Sequence, residues 1–264
     1  MNRRDVIALV SKATDGLAQT LTDTLLFLFF LYGSSFYKRG PRGIYELFQE
    51  SESELSQVNY QSIKRAINKL TEKQRITRSD LGTNKTIHLT PNARQYIQKT
   101  FPSYRMERPW DGHVYLIAYD IPSHANSTRN MLRGYIKGTG GAPLQESLWI
   151  NPYNPQQSLH DFAKQKHIEG TILVSKLGKD GAIGTERFHD LIARVYKFSS
   201  LSERYQHFVR TYNTDSRQSL IQMALSYHGI LKDDPQLPFA LEPENLGAKD
   251  AYLLYQSRIR QNLH

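Results

Sequence analysis

One predicted helix near residue 65 carries side chains able to bind DNA along one of its faces. The opposite face is apolar at the helical spacing i, i+3, i+4, i+7, with Ile63, Ala66, Ile67 and Leu70. Lysine and arginine bind phosphates or guanine, whereas glutamine and asparagine suit the edge of adenine. We therefore predict a DNA-contacting face composed of Tyr60, Gln61, Ser62, Lys64, Arg65, Asn68 and Lys69. The alternative is an ordinary solvated helix face.

A predicted β-hairpin follows this helix and favours the DNA-binding interpretation. Residues 76–78 and 86–89 contain β-prone side chains, and Gly82-Thr83-Asn84-Lys85 between them is typical of a turn. A short helix, then a basic helix, then such a hairpin is the order of a winged helix-turn-helix. We expect Asn84 and Lys85 at the hairpin tip to contact the minor groove or the DNA backbone.

Positive charge is concentrated in the N-terminal part of the chain. The sequence of 264 residues has a formal net charge of +9. Residues 1–105 contain 16 Lys and Arg against 9 Asp and Glu, whereas residues 106–264 contain 18 against 16. A surface that binds phosphates requires such an excess. Double-stranded DNA is therefore the first partner to expect.

The pattern beyond residue 100 indicates two further domains. Strand and helix signals follow the order β-α-β-β-α-β, which is typical of a ferredoxin-like fold. The spacing of apolar residues then becomes helical, apart from one stretch that contains prolines. We predict an α+β protein with a winged-helix domain at 1–100, a ferredoxin-like domain at 109–180 and an all-helical C-terminal domain at 184–264.

Composition argues against several other classes of protein. The chain has no cysteine, which removes disulfides, thiolate catalysis and cysteine-based zinc sites, and we assign no metal site. The apolar run 25–32 is shorter than the roughly 20 residues needed to span a bilayer. We expect this run to form a buried helix in a cytoplasmic protein that has no membrane partner.

Three groups of motifs resemble a single family. The first extends from Pro41-Arg42-Gly43-Ile44-Tyr45 to Leu89-Thr90-Pro91. The second and most specific contains Trp110-Asp111-Gly112, Tyr119-Asp120-Ile121-Pro122, Arg129, Arg133 and Leu148-Trp149-Ile150-Asn151-Pro152-Tyr153. The third contains Asp234-Pro235-Gln236-Leu237-Pro238, Gly247 and Ala251. Together they span nearly the whole chain and resemble the PaaX-like transcriptional regulators, named for repression of phenylacetate degradation.

The resemblance implies a ligand-responsive repressor that binds DNA as a homodimer and is not an enzyme. The small-molecule effector that it implies is an aromatic acyl-CoA thioester, and no other cofactor is expected. Residues 239–246 depart from the leucine-rich motif and the tryptophan usual in the family. The effector-binding residues therefore stay unassigned, and a DNA-binding protein without an effector is the alternative.

The middle motifs also resemble the small ferredoxin-fold subunit of CRISPR spacer-integration complexes. In that subunit an aspartate at the same strand end can contribute to a metal site across a dimer. The corresponding residue here is Asp120, so a metal-dependent nuclease is the alternative enzymatic function. Metal-assisted phosphodiester cleavage usually needs a cluster of carboxylates, whereas an aspartate before Ile-Pro is commonly a turn former or a helix cap.

Overall fold

A computed structural model of the chain contains two compact units, each formed from separate stretches of sequence. It describes residues 3–14, 18, 20–37, 40–50, 54–81, 84–122, 125–177, 186–214 and 220–263. The first unit comprises Met1–Tyr104, Glu203–Asp234 and Gly247–His264. The second comprises Arg105–Ser202 and Pro235–Leu246. The protein is a mixed α and β structure, as predicted.

The N-terminal part of the first unit consists of helices and one β-hairpin. Its elements are α1 (Arg3–Ala13), α2 (Leu21–Tyr37), α3 (Gly40–Gln49), α4 (Tyr60–Glu72), β1 (Ile76–Leu81), β2 (Asn84–Leu89) and α5 (Pro91–Thr100). Helix α4 is the predicted DNA-contacting helix, and β1 and β2 form the predicted hairpin. Helix α1 was not predicted from the sequence.

Helix α2 contains the apolar run and is buried. Residues 25–29 are at most 1% exposed, and they share a core with side chains of α3, α4 and α5. Burial of so many large apolar side chains is the main favourable contribution to folding. The prediction of a buried helix is therefore confirmed for residues 25–29, whereas Phe30 is 37% exposed. Within the described ranges, no helix combines the length and the apolarity that crossing a membrane requires.

The hairpin presents one of its faces to this core. Strands β1 and β2 are antiparallel, with Ile76 opposite Leu89 and Arg78 opposite Ile87. Ile76, Ile87 and Leu89 are all buried. Because side chains alternate along a strand, Arg78 lies on the same, core-facing side as these three residues.

The second unit contains a four-stranded antiparallel sheet with the strand order β4-β5-β3-β6. Its first elements are β3 (Val114–Asp120), α6 (Asn126–Gly138), β4 (Ala142–Gln145), β5 (Leu148–Asn151), α7 (Gln156–Lys166) and β6 (Thr171–Leu177). The order of elements along the chain is the predicted β-α-β-β-α-β.

Both helices of this segment pack on one face of the sheet. Leu132 and Ile136 of α6 and Leu159 of α7 are buried against Ile117 and Trp149. Met131, which is adjacent to Leu132 in sequence, is 37% exposed. Residues 132 and 136 are one turn apart and occupy the sheet-facing side, so residue 131 is rotated about 100° away from it.

A buried arginine holds residues 235–246 within the second unit. The Arg108 guanidinium donates to the carbonyl of Leu237 at 2.9 Å and forms an ion pair with Glu242. It also lies 4.4 Å from the centre of the Phe239 ring. A buried guanidinium needs such partners because burying an unpaired charge is costly.

The C-terminal helices do not form a unit of their own. They are α8 (Phe188–Val195), α9 (Phe198–Thr214), α10 (Leu220–Asp233) and α11 (Ala248–Leu263). The residues predicted as a domain at 184–264 are divided between the two units, unlike the predicted boundaries 1–100, 109–180 and 184–264. The physical reason is apolar packing, because Ile221 and Leu225 of α10 belong to the same core as α2.

His228 joins three parts of the first unit. Its ring lies edge-on to Phe27 of α2, with 4.8 Å between ring centres. Nδ1 lies 2.9 Å from the Pro102 carbonyl and Nε2 lies 3.2 Å from the Tyr255 hydroxyl. A carbonyl only accepts, so Nδ1 carries the proton and Nε2 accepts from Tyr255. Burial lowers the pKa of His228 to about 4, although the hydrogen bond to Pro102 opposes this shift.

We predict that the stability of the protein falls as the pH is lowered from about 6.5 to about 4. In this window the unfolded histidine binds a proton and the folded one does not, so acid favours unfolding. The slope contributed by His228 is at most about 1.4 kcal/mol per pH unit. Denaturant unfolding at several pH values measures it.

The substitution H228Q should flatten this pH dependence, whereas the matched control H160Q should not. His160 is exposed, so its ring is in contact with water in the folded and the unfolded chain alike. An equal slope for wild type and H228Q would contradict the assignment to His228.

Candidate nucleic-acid interface

The start of helix α4 is fixed by a side-chain cap. Asn59 adopts an extended backbone, and its side-chain oxygen accepts from the backbone N–H of Ser62 at 2.9 Å. This hydrogen bond satisfies one of the donors that the first turn of a helix leaves unpaired. The cap determines where along the chain the helix begins.

The apolar face of α4 is buried, and this sets the rotation of the helix about its axis. Ile63 and Ile67 are 0% exposed. Ala66 and Leu70 are also buried in the core that contains α2. The predicted apolar spacing is therefore confirmed for all four residues, and the opposite side of the helix must face outward.

The outward side of α4 presents most of the residues predicted to contact DNA. The exposed ones are Tyr60, Gln61, Lys64, Arg65, Asn68 and Lys69. Ser62 differs, because its residue is only 8% exposed. It is the third residue after the Asn59 cap and lies on the buried side, so we leave it out of the candidate surface.

The cations on this surface have no carboxylate partners. Among the described residues, Lys64, Arg65 and Lys69 form no ion pair, unlike Arg42, which pairs with Glu46 on the neighbouring helix α3. Unpaired cations on one exposed helix face remain available to bind phosphate groups. This is the electrostatic character that a DNA-contacting helix requires.

Arg78 was absent from the predicted site, although the structure brings it to α4. Its Nη2 donates to the side-chain oxygen of Asn68 at 2.9 Å. The guanidinium is exposed although the residue lies on the core-facing side of β1. One sequence signal could have identified Arg78. It is a charged residue two positions after Ile76, where the alternation of side chains along a strand predicts a second core-facing side chain.

The side chains at the tip of the hairpin lie outside the described residues. Thr83 lies outside the described residues, as do the side chains of Asn84 and Lys85. The backbone of Asn84 and Lys85 belongs to β2 and pairs with Leu81 and Asp80. The predicted role of the tip therefore stays a prediction.

Asp120 lies exposed at the end of β3, as predicted. Its carbonyl oxygen would be 2.3 Å from a Cβ added at Gly170, so the glycine permits the close approach of the two backbones. The described part of the chain contains no group of three or more histidine or carboxylate side chains able to hold a metal ion. Among the residues that the structure describes, Asp120 therefore belongs to no such group.

The basic residues of α6 bind the backbone and side chains of their own domain. Arg129 donates twice to the carbonyl of Ile121, at 2.7 and 3.0 Å. Arg133 donates to the Tyr119 hydroxyl at 2.9 Å, and this hydrogen bond raises the pKa of Arg133. Arg129 and Arg133 therefore stabilise the fold locally, whereas Lys137 of the same helix is exposed.

Comparison with known proteins identifies the middle part of the chain. Residues 107–184 match the family model described as the PaaX protein central Cas2-like domain. The chain therefore carries this PaaX central domain, which confirms the resemblance to PaaX-like proteins. A search of curated proteins finds no significant match.

A solved structure supports the same fold over more of the chain. It is the uncharacterized protein Rv0674 from Mycobacterium tuberculosis, with a TM-score of 0.50 and 16% sequence identity. The alignment covers 77% of this chain and 82% of that one. At this level of identity the similarity concerns the fold alone.

We predict that N59A destabilises the first unit by about 1 kcal/mol, because the first turn of α4 loses its cap. The measurement is the midpoint of thermal or denaturant unfolding. Q98A, at an exposed position inside α5, is the matched control and should change the midpoint little. An equal effect of both substitutions would exclude a special contribution of the cap.

Proposed function

We propose that this protein is a sequence-specific DNA-binding transcriptional regulator that reads DNA with helix α4. The observation that carries the proposal is the exposed surface of Gln61, Lys64, Arg65, Asn68 and Lys69 on a helix whose other face is buried. Lysine and arginine supply phosphate binding, and the amide side chains supply hydrogen bonds to base edges. The PaaX central domain supports the regulatory class.

The first unit is interpreted as a winged helix-turn-helix at its N-terminal part. Helices α3 and α4 precede the β1–β2 hairpin in the order that this motif requires, and α4 is the helix adjacent to the hairpin. The β-α-β-β-α-β segment with its antiparallel strand order is interpreted as a ferredoxin-like domain. Both assignments are part of the proposal.

Further features of the proposal come from the family resemblance. The protein acts as a repressor and as a homodimer, with two copies of α4 in major grooves about one helical turn, roughly 34 Å, apart. A small-molecule effector lowers operator affinity by favouring a state that binds DNA less well. Such an effector shifts the equilibrium only by its difference in affinity for the two states.

We predict that R65A weakens DNA binding while the fold is retained. The loss of one phosphate contact should reduce the magnitude of the log–log salt slope by about 0.9. The probe is a duplex pool enriched on the wild-type protein from a randomised library, and binding is measured at several salt concentrations. Circular dichroism checks the fold.

The matched control is R94A, which removes the same charge from an exposed position of α5. It should reduce affinity less than R65A. Equal losses would indicate a general effect of net charge and would contradict a reading role of α4. Incubation of the same DNA with Mg²⁺ or Mn²⁺ should give no cleavage, and cleavage abolished by D120A would replace the proposal with a nuclease.

A further inference from the structure

The Arg78–Asn68 hydrogen bond connects the hairpin to the exposed face of α4. The bond length of 2.9 Å is that of an ordinary N–H···O hydrogen bond. A guanidinium has only donors, so the amide atom facing it must be the oxygen. The orientation of the Asn68 amide is thereby settled by chemistry.

This orientation bears on which base Asn68 can recognise. An asparagine binds adenine by accepting from N6 through its oxygen while its NH₂ group donates to N7. Here the oxygen already accepts from Arg78, which leaves its second lone pair for N6. An adenine can therefore be read only in an orientation that keeps the Arg78 hydrogen bond, which restricts the adenine reading expected for this residue from sequence.

The same bond leaves Arg78 able to bind a base. The guanidinium has five N–H donors, of which one is used by Asn68, and it makes no ion pair within the described residues. Guanine presents two acceptors, O6 and N7, in the major groove, and arginine binds them through two parallel donors. An arginine next to an exposed helix face thus matches guanine better than adenine.

The position of Arg78 also restricts its side chain. The residue lies opposite the buried Ile87 on the core-facing side of the hairpin, and its exposed guanidinium reaches α4. The aliphatic part of the Arg78 side chain must therefore extend from β1 to α4, where Asn68 holds the guanidinium. A side chain ordered before binding loses less entropy when it contacts DNA.

We propose that Arg78 is a specificity-determining residue that reads a guanine beside α4, and that Asn68 is its positioning residue. The inference rests on the proposed function, since it assumes that α4 faces DNA. It adds a residue of the hairpin strand to the reading surface and assigns Asn68 a role that acts through Arg78.

The test is selection of binding sites from a randomised duplex library with wild type, R78A, R78K and N68A. Wild type should show a guanine preference at one position, and R78A should reduce it roughly tenfold to a hundredfold. R78K retains the charge but lacks the planar fork, so it should lose the preference while keeping its affinity for unselected DNA. N68A should weaken the preference at that same position.

Each contrary result has a distinct meaning. A motif left unchanged by R78A would overturn the inference, and so would an N68A protein that loses an adenine preference at another position. If either result occurs while R65A still weakens binding, the proposed function stands and only the role of Arg78 is excluded. If wild type enriches no sequence at all, both the proposed function and this inference fail. Thermal unfolding of each variant confirms that the compared proteins are folded.

Discussion

Burial of one face of α4 is the constraint on which the proposed interface depends. Ile63 and Ile67 are completely buried in the core formed around α2. Rotation of α4 about its axis would expose them, at a cost of about 1.5–3 kcal/mol for each side chain. The cations on the opposite face are therefore held outward by apolar packing. Their exposure is a consequence of the core and needs no contribution from DNA.

This core is completed by residues far along the sequence. Helix α10 contributes Ile221 and Leu225 to it, and His228 packs its ring against Phe27 of α2. Since α2 also packs beneath α4, the packing of α10 and the support of α4 share the same buried side chains. A displacement of the buried side chains of α10 would be transmitted to α2 and α4, because close-packed interiors have few voids to absorb it. Helix α10 is thus physically part of the unit that presents α4.

Local features of the fold could be predicted from sequence, whereas long-range contacts could not. The amphipathic spacing in α4 and the order of strands and helices in the middle domain depend on neighbouring residues, and both were predicted. The assignment of α10 to the first unit depends on contacts between residues that are about two hundred positions apart in sequence. The spacing of apolar residues within one helix does not predict such contacts. The same limitation explains why Arg78 was missed, because its partner Asn68 lies on a different element. Ser62 was misjudged since polarity alone does not show which side of a helix is buried.

The family match and the proposed interface fall on different parts of the chain. Residues 107–184 carry the match, whereas α4 ends at Glu72. Within the matched domain, Arg129 and Arg133 bind groups of their own domain, so these motif residues act to hold its fold. The match therefore shows which family domain residues 107–184 resemble. DNA binding is inferred separately. It is inferred from amide groups and from cations that form no ion pair among the described residues, on a helix whose rotation about its axis is prevented by the apolar core.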